Sequence, residues 1–64
     1  MGLYSGKNVL LTGAAGIIGS KLSHNLAREG ANLILIDIDE EKLAKLTYMI
    51  NKDNDINVRP YAVD

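Results

Sequence analysis

The stretch TGAAGIIG, residues 12–19, decides the fold of this chain. Its glycines at positions 13, 16 and 19 are half of the six in the 64-residue sequence. A continuous apolar run, NVLLT at 8–12, comes directly before it and predicts a strand buried on both faces. Glycine-rich turns that lead from such a strand into a helix are typical of phosphate-binding loops. The alternative is a set of tight turns that binds no ligand.

Apolar spacing after this turn predicts a helix and a second strand. Residues 17–29 carry apolar side chains at 18, 22 and 26, flanked by Ile17 and Ala27. This spacing predicts a helix with one buried stripe, and Gly30 stands where the helix should end. Residues 32–37, NLILID, form a second continuous apolar run that ends in a carboxylate, so they predict a second buried strand.

The rest of the chain predicts a second helix and a third strand. Asp39 is suited to cap a helix that runs to about Asn51. The buried stripe of that helix comprises Leu43, Leu46 and Ile50. Residues 52–55 predict a turn and residues 56–63 a strand. Pro60 places this strand at a sheet edge, because proline cannot donate a ladder hydrogen bond.

The resulting element order is β-α-β-α-β, which predicts an α/β fold with a Rossmann-type parallel sheet and right-handed crossovers. An edge position for the third strand agrees with the strand order 3-2-1 of one half of a doubly wound sheet. Since the sequence stops where the third predicted strand ends, we expect residues 1–64 to form the N-terminal portion of a dinucleotide-binding domain. The remainder of that domain would lie outside this chain.

Each glycine of the stretch has a separate role if a dinucleotide binds there. Gly13 would permit the tight turn, Gly16 would let a pyrophosphate approach the backbone, and Gly19 would let the helix pack close to the sheet. The N–H groups at the helix start would then bind the phosphates. Asp37 follows Gly19 by 18 residues, a spacing suited to a carboxylate that accepts hydrogen bonds from the adenosine ribose. The candidate cofactor-binding residues are Gly13, Ala15, Gly16, Ile17, Ile18, Gly19, Asp37, Ile38 and Asp64.

Asp37 also predicts which cofactor is preferred. Its carboxylate would repel a 2′-phosphate, and Ile38 beside it offers no guanidinium, so we expect NAD rather than NADP. Asp64 ends the third predicted strand at the same edge of the sheet. There it would either contact the adenine of the cofactor or begin a turn. We find no candidate metal ligands, since the single histidine, His24, has no partner cluster and is expected to be solvated.

Composition excludes several classes of function. The formal net charge is −1, without the basic excess of a nucleic-acid-binding protein. Cysteine is absent, which excludes disulfides and thiolate metal sites. The first apolar run is too short for a signal peptide or a membrane span. We therefore expect a cytoplasmic protein that binds neither nucleic acid nor membrane.

Two segments carry a family resemblance. GKNVLLTGAAGIIGSKL at 6–22 and GANLILIDIDEEKLAKL at 30–46, followed by a strand that ends in Asp64, resemble the first quarter of a short-chain dehydrogenase/reductase. The main branch of that family has T-G-x-x-x-G-x-G, which would need glycine where this chain has Ile17. The spacing T-G-x-x-G-x-x-G resembles the extended branch of sugar-nucleotide epimerases and dehydratases, whereas residues 37–46 are similar to main-branch reductases. The resemblance implies that Thr12 braces the turn and that Asp64 contacts the adenine amino group.

The resemblance also implies hydride transfer in the parent enzyme, with a small-molecule substrate and a homo-oligomeric assembly. The family's catalytic pair is Tyr-x-x-x-Lys, and Tyr48 and Lys52 have this spacing. They lie on the second predicted helix, whereas the family's pair follows the fifth strand. We therefore interpret Tyr48 as a packing residue and Lys52 as part of a polar helix end. No catalytic residue is predicted within these 64 residues, and the alternatives to an oxidoreductase are an extended-branch epimerase or dehydratase and a non-catalytic nucleotide sensor.

Overall fold

A computed structural model describes residues 4–63, and Asp64, a predicted cofactor-binding residue, lies outside them. The described chain forms a three-stranded parallel sheet in the order β1-β2-β3, with a helix after each of the first two strands. This is the predicted Rossmann-type β-α-β-α-β arrangement. The elements are β1 (Asn8–Thr12), α1 (Ile17–Arg28), β2 (Asn32–Asp37), α2 (Glu40–Asp53) and β3 (Val58–Ala62).

The parallel register aligns the carboxyl ends of the three strands. Thr12 at the end of β1 pairs with Ile36, and Asp37 at the end of β2 pairs with Ala62. Pro60 lies in β3, which pairs only with β2 among the described residues, so the predicted edge position is confirmed. The glycine loop, residues 13–16, and Asp37 therefore leave the sheet at the same edge.

The core lies on one face of the sheet, between the strands and both helices. Leu33 and Leu35 of β2 are fully buried there, and each contributes about 1.5–3 kcal/mol through loss of exposed apolar surface. Val9 and Leu11 of β1 pack against the same core. The buried apolar residues are Ala14, Leu26, Ala27, Ala31, Leu33, Leu35, Leu43, Leu46 and Ile50.

The prediction that β1 is buried on both faces is wrong for the described chain. Leu10, on the face opposite the helices, is 57% exposed. Its register partner Ile34 is half-buried on that same face. Right-handed crossovers that advance in one direction put both helices on one side of a parallel sheet. The two helices of this chain therefore cover only one face.

The predicted buried stripe of α1 is also wrong in part. Ile17 and Ile18 are each 81% exposed, and Leu22 is 44% exposed. The buried residues of α1 are Ser23, Leu26 and Ala27. The helix packs on the sheet through a face that includes small residues, because small side chains allow close approach. Nothing in the described chain covers the flank formed by Ile17, Ile18 and Leu22. The Ser23 hydroxyl is satisfied in the core by donating to the Gly19 carbonyl oxygen at 2.7 Å.

The second half of the chain differs from expectation mainly at element ends. Asp39 caps α2 as predicted, and its carboxylate accepts a hydrogen bond from the Lys42 N–H at 3.0 Å. The helix continues through Asp53, whereas a turn was expected from residue 52. Asn54 explains the extension, since both its backbone N–H and its side-chain amide donate to the Ile50 carbonyl oxygen at 3.0 Å. Strand β3 covers Val58–Ala62, shorter than the predicted 56–63.

Gly19 is required by a close backbone approach at the start of α1. A Cβ atom added there would overlap the Gly13 carbonyl oxygen and lie 3.0 Å from the Cα and carbonyl oxygen of Ala14. Backbone atoms cannot move aside as a flexible side chain can. Gly19 therefore lets the helix start pack against the glycine loop, whereas close packing against the sheet was expected.

We predict that Gly19→Ala lowers the free energy of unfolding by about 1–3 kcal/mol, because the added methyl overpacks this contact. Thermal or urea unfolding of the protein measures the effect. Ser20→Ala is the matched control, since Ser20 is the next residue on the helix and its hydroxyl makes only an exposed bond to the Ile17 carbonyl oxygen. Equal stability of the two variants would contradict the close approach.

Candidate functional site

The glycine loop forms a tight turn that leads directly into α1. Gly13 has φ +65°, in the left-handed region that favours glycine. The Gly16 N–H donates to the Gly13 carbonyl oxygen at 3.1 Å, which closes the turn. Gly16 is the N-terminal cap residue of the helix, in an extended conformation. The loop thus reverses the chain from the end of β1 into the first turn of α1 within four residues.

The start of α1 presents backbone donors without an acidic partner. Gly16 has no side chain to cap the helix, and the first turn contains no acidic residue. The first N–H groups of any α-helix lack intrahelical acceptors, so those of Ile17 and Ile18 remain available. The helix dipole adds partial positive charge at the same place. This end of the helix is suited to an anion such as a phosphate.

The Asp37 carboxylate bridges two segments of backbone at the end of β2. One of its oxygens, Oδ2, accepts a hydrogen bond from the Ala15 N–H of the glycine loop at 2.9 Å. Its Oδ1 accepts from the Asp39 N–H, also at 2.9 Å. The loop and the β2–α2 connection are therefore held by one side chain.

These donors change the acidity of Asp37. The backbone N–H groups of Asp39, Ala15 and Ile38, in that order, hold the pKa of the Asp37 carboxyl below its usual value. The charge of Lys42 acts weakly in the same direction. Partial desolvation opposes the shift. The group is therefore an anion at neutral pH with oriented acceptor oxygens.

A groove opens beside Asp37 along the carboxyl edge of the sheet, with a volume of about 420 Å³. Its apolar walls include Ile38 and Val63, which are 72% and 53% exposed. An exposed apolar side chain next to a carboxylate suits a ligand with one flat apolar part and one hydroxyl-bearing part. The groove is lined by Thr12, Gly13, Ile36, Asp37, Ile38 and Val63.

The structure brings most of the predicted site residues to this edge. The glycine loop, the helix start and the end of β2 meet there, and Asp64 follows Val63 outside the described residues. The residues brought together are Gly13, Ala15, Gly16, Ile17, Ile18, Gly19, Asp37 and Ile38.

Thr12 does not brace the turn within the described residues. Its side chain is exposed, and its hydroxyl makes no hydrogen bond to any residue from 4 to 63. Two bonds from the loop backbone perform this role: the Ala14 N–H donates to the Ile36 carbonyl oxygen at 3.1 Å, and the Ala15 N–H donates to Asp37.

The remaining polar candidates lie outside the groove. Tyr48 is 68% exposed on α2, so its interpretation as a packing residue is wrong. Lys52 is an exposed residue in the last turn of the same helix. His24 is half-buried and lines a separate groove at the surface with Arg28 and Asp53. Residues 4–63 contain no cluster of His, Cys, Asp or Glu that could hold a metal ion. No helix in that range is long and apolar enough to cross a membrane.

Sequence reasoning missed the bond between Ala15 and Asp37. It assigned the Asp37 carboxylate to a ligand alone. The separate motifs carried no signal for this bond, because it depends on how β1 and β2 pair in the folded sheet. With Thr12 opposite Ile36, the loop backbone after β1 must pass close to the residue after Ile36.

The family model described as short chain dehydrogenase matches residues 7–64. The chain belongs to this family. Oxidoreductase UcpA of Salmonella typhimurium is 51% identical over 41 residues, which cover 64% of this chain and 16% of that protein. The 12alpha-hydroxysteroid dehydrogenase of a Clostridium species is 38% identical over 66 residues, covering the whole chain and 26% of that protein. This member of the short chain dehydrogenase family thus spans about a quarter or less of the curated relatives' length.

Solved structures of the short chain dehydrogenase fold superimpose closely on the chain. NAD⁺-bound xylitol dehydrogenase has a TM-score of 0.90 and 34% identity, covering 97% of this chain and 24% of that one. L-sorbose reductase from Gluconobacter frateurii, in complex with NADPH and L-sorbose, has a TM-score of 0.90 and 28% identity, covering 95% and 23%. Members of the family thus bind either nicotinamide dinucleotide. The comparisons favour the dehydrogenase hypothesis over the epimerase, dehydratase and sensor alternatives.

The lowered pKa of Asp37 predicts a pH-dependent contribution to stability. Because the folded pKa lies below the reference value of 3.8, folding favours the charged carboxylate. The contribution is fully present above the unfolded pKa and is lost as the pH falls through the folded pKa.

We therefore expect the difference in unfolding free energy between wild type and Asp37→Asn to stay constant from about pH 7 to about pH 5 and to shrink below the reference pKa. Urea unfolding at stepped pH measures this difference. A difference that stays the same, or grows, as the solution is acidified further would contradict the hydrogen bonding of the charged carboxylate.

Proposed function

We propose that residues 1–64 form the N-terminal portion of the NAD-binding domain of a short chain dehydrogenase, where they hold the adenosine and pyrophosphate of NAD. The observation that carries this proposal is the convergence of free helix-start N–H groups and the Asp37 carboxylate at one sheet edge. The complete protein, meaning the full polypeptide that contains these residues, would be an NAD-dependent oxidoreductase and a homo-oligomer that acts on a small-molecule substrate.

The described residues fit the two polar parts of the cofactor. Within residues 4–63, the N–H groups of Ile17 and Ile18 at the positive end of α1 have no acceptor, so they can donate to the pyrophosphate. Each Asp37 oxygen already accepts one hydrogen bond, and a carboxylate oxygen has about two acceptor sites, so each oxygen can accept one more from a ribose hydroxyl. The fit therefore needs no rearrangement of Asp37.

Charge favours NAD over NADP at this site. The Asp37 carboxylate would repel the 2′-phosphate of NADP. The exposed residue beside it is Ile38, whose side chain cannot pair with a phosphate. The chain's own residues bind and orient the adenosine half of the cofactor. When bound, the nicotinamide accepts or donates the hydride, and the proton donor and substrate pocket would come from parts of the complete protein outside these residues.

We expect Asp37→Ala in the complete protein to weaken NAD binding by about tenfold or more, since hydrogen bonds from the ribose hydroxyls to a charged acceptor are stronger than those to a neutral one. The affinity for NADP should fall less, because the substitution also removes the repulsion between the carboxylate and the 2′-phosphate. The difference in affinity between NAD and NADP should therefore become smaller. Isothermal titration with NAD and NADP measures both. Asp39→Ala is the matched control, since its carboxylate caps α2 at Lys42 and does not contact the loop.

Two outcomes would contradict the proposal. Equal loss of affinity for both cofactors in Asp37→Ala would exclude the ribose contact. Failure of wild type to bind either cofactor below millimolar concentration would exclude the site as a whole.

A further inference from the structure

Asp37 is the only side chain in residues 4–63 that anchors the second half of the glycine loop. The first half is held by other means: Ala14 is fully buried, and its N–H donates to the Ile36 carbonyl oxygen. The second half comprises Ala15, which is half-buried, and Gly16, which is exposed and bonds within the loop to Gly13. The bond from Ala15 to Asp37, across 22 residues of sequence, ties this half to the sheet.

This anchor acts directly before the donors proposed to hold the pyrophosphate. Ala15 is two residues before Ile17, where the helix begins. The loop contains two residues without a Cβ, Gly13 and Gly16, so its backbone has many alternative conformations when it is not held. The orientation of the N–H groups at the helix start therefore depends on an anchor that is made by a side chain.

A second hydrogen bond, to the other carboxylate oxygen, fixes the orientation of the Asp37 side chain itself. Its Oδ1 accepts from the Asp39 N–H, two residues along the chain, so the carboxylate is oriented before any ligand arrives. The Asp39 carboxylate cannot replace it, because it accepts from the Lys42 N–H at the start of α2. Among the neighbouring charges, Lys42 acts on Asp37 only through its field.

We propose that Asp37 is a positioning residue for the glycine loop in addition to its contact with the ribose. Its carboxylate fixes the loop in the conformation that binds pyrophosphate and leaves acceptor sites free for ribose hydroxyls. The two parts of the cofactor are then linked through one side chain. The ligand side of this inference rests on the proposed function, whereas the positioning of the loop rests on the bond to Ala15.

The first test needs no cofactor. Hydrogen–deuterium exchange of the complete protein, resolved at the Ala15 amide, should be about tenfold or more faster in Asp37→Ala than in wild type, as expected for the loss of one hydrogen bond to a charged acceptor. Asp39→Ala should leave the Ala15 amide unchanged although it removes a helix cap. Unchanged exchange in Asp37→Ala, or an equal increase in Asp39→Ala, would overturn the proposal.

The second test uses an NAD analogue whose adenosine ribose lacks both hydroxyl groups. If Asp37 only contacts the ribose, Asp37→Ala cannot weaken this analogue. If Asp37 positions the loop, the binding-competent fraction falls and the analogue loses affinity in proportion to that fall. Unchanged affinity for the analogue would overturn the positioning role.

The two tests also separate this inference from the proposed function. Equal losses for NAD and the analogue would support loop positioning and exclude the ribose contact. If wild type binds neither ligand, the proposed function fails and amide exchange alone decides the positioning role. Should Asp37→Ala fail to fold, Asp37→Leu carries the same comparisons, because leucine has a branched side chain of similar shape but no acceptor oxygen for either N–H group.

Discussion

The hydrogen bond from the Ala15 N–H to the Asp37 carboxylate is the contact on which the candidate site depends. It joins the loop after β1 to the end of β2, two points that the parallel pairing of these strands has already brought to one edge. A backbone bond between Ala14 and Ile36 reinforces the same junction. The position of the α1 start, and hence of its free N–H groups, follows from this junction.

Glycine and small residues allow the junction to be this tight. Gly13 supplies the left-handed turn, and Gly19 permits backbone contact between α1 and the loop. The buried Ser23 bonds back to Gly19 within the helix. These residues bring the helix start close to the strand ends, whereas larger apolar side chains of α1, such as Ile18, remain exposed.

The sequence predicted most of the architecture because its signals are local. Continuous apolar runs identified β1 and β2, and Asp39 marked the start of α2 correctly. Periodicity shows which residues of a helix share a face, but it cannot show what covers that face, which is why Ile18 and Leu22 were assigned wrongly to the core. The extension of α2 depends on a side-chain cap by Asn54, which composition alone did not reveal.

The candidate site was predicted as a set of residues but not as an arrangement. The spacing of the glycines and the carboxylate at the end of β2 identified Gly13, Gly19 and Asp37, each through its own local chemistry. The bond of Asp37 to Ala15 depends on strand register, which is a tertiary property that the separate motifs do not encode. The sequence therefore indicated the ligand class without showing that one carboxylate also holds the loop.

A crystal structure of the complete protein with NAD tests the central claim most directly. We expect the pyrophosphate oxygens to lie within hydrogen-bonding distance of the Ile17 and Ile18 N–H groups. We also expect the adenosine ribose hydroxyls to donate to the Asp37 carboxylate, with the bond from Ala15 to Asp37 still present. NAD bound at this edge with Asp37 turned away from both the ribose and Ala15, or NAD bound elsewhere, would contradict it.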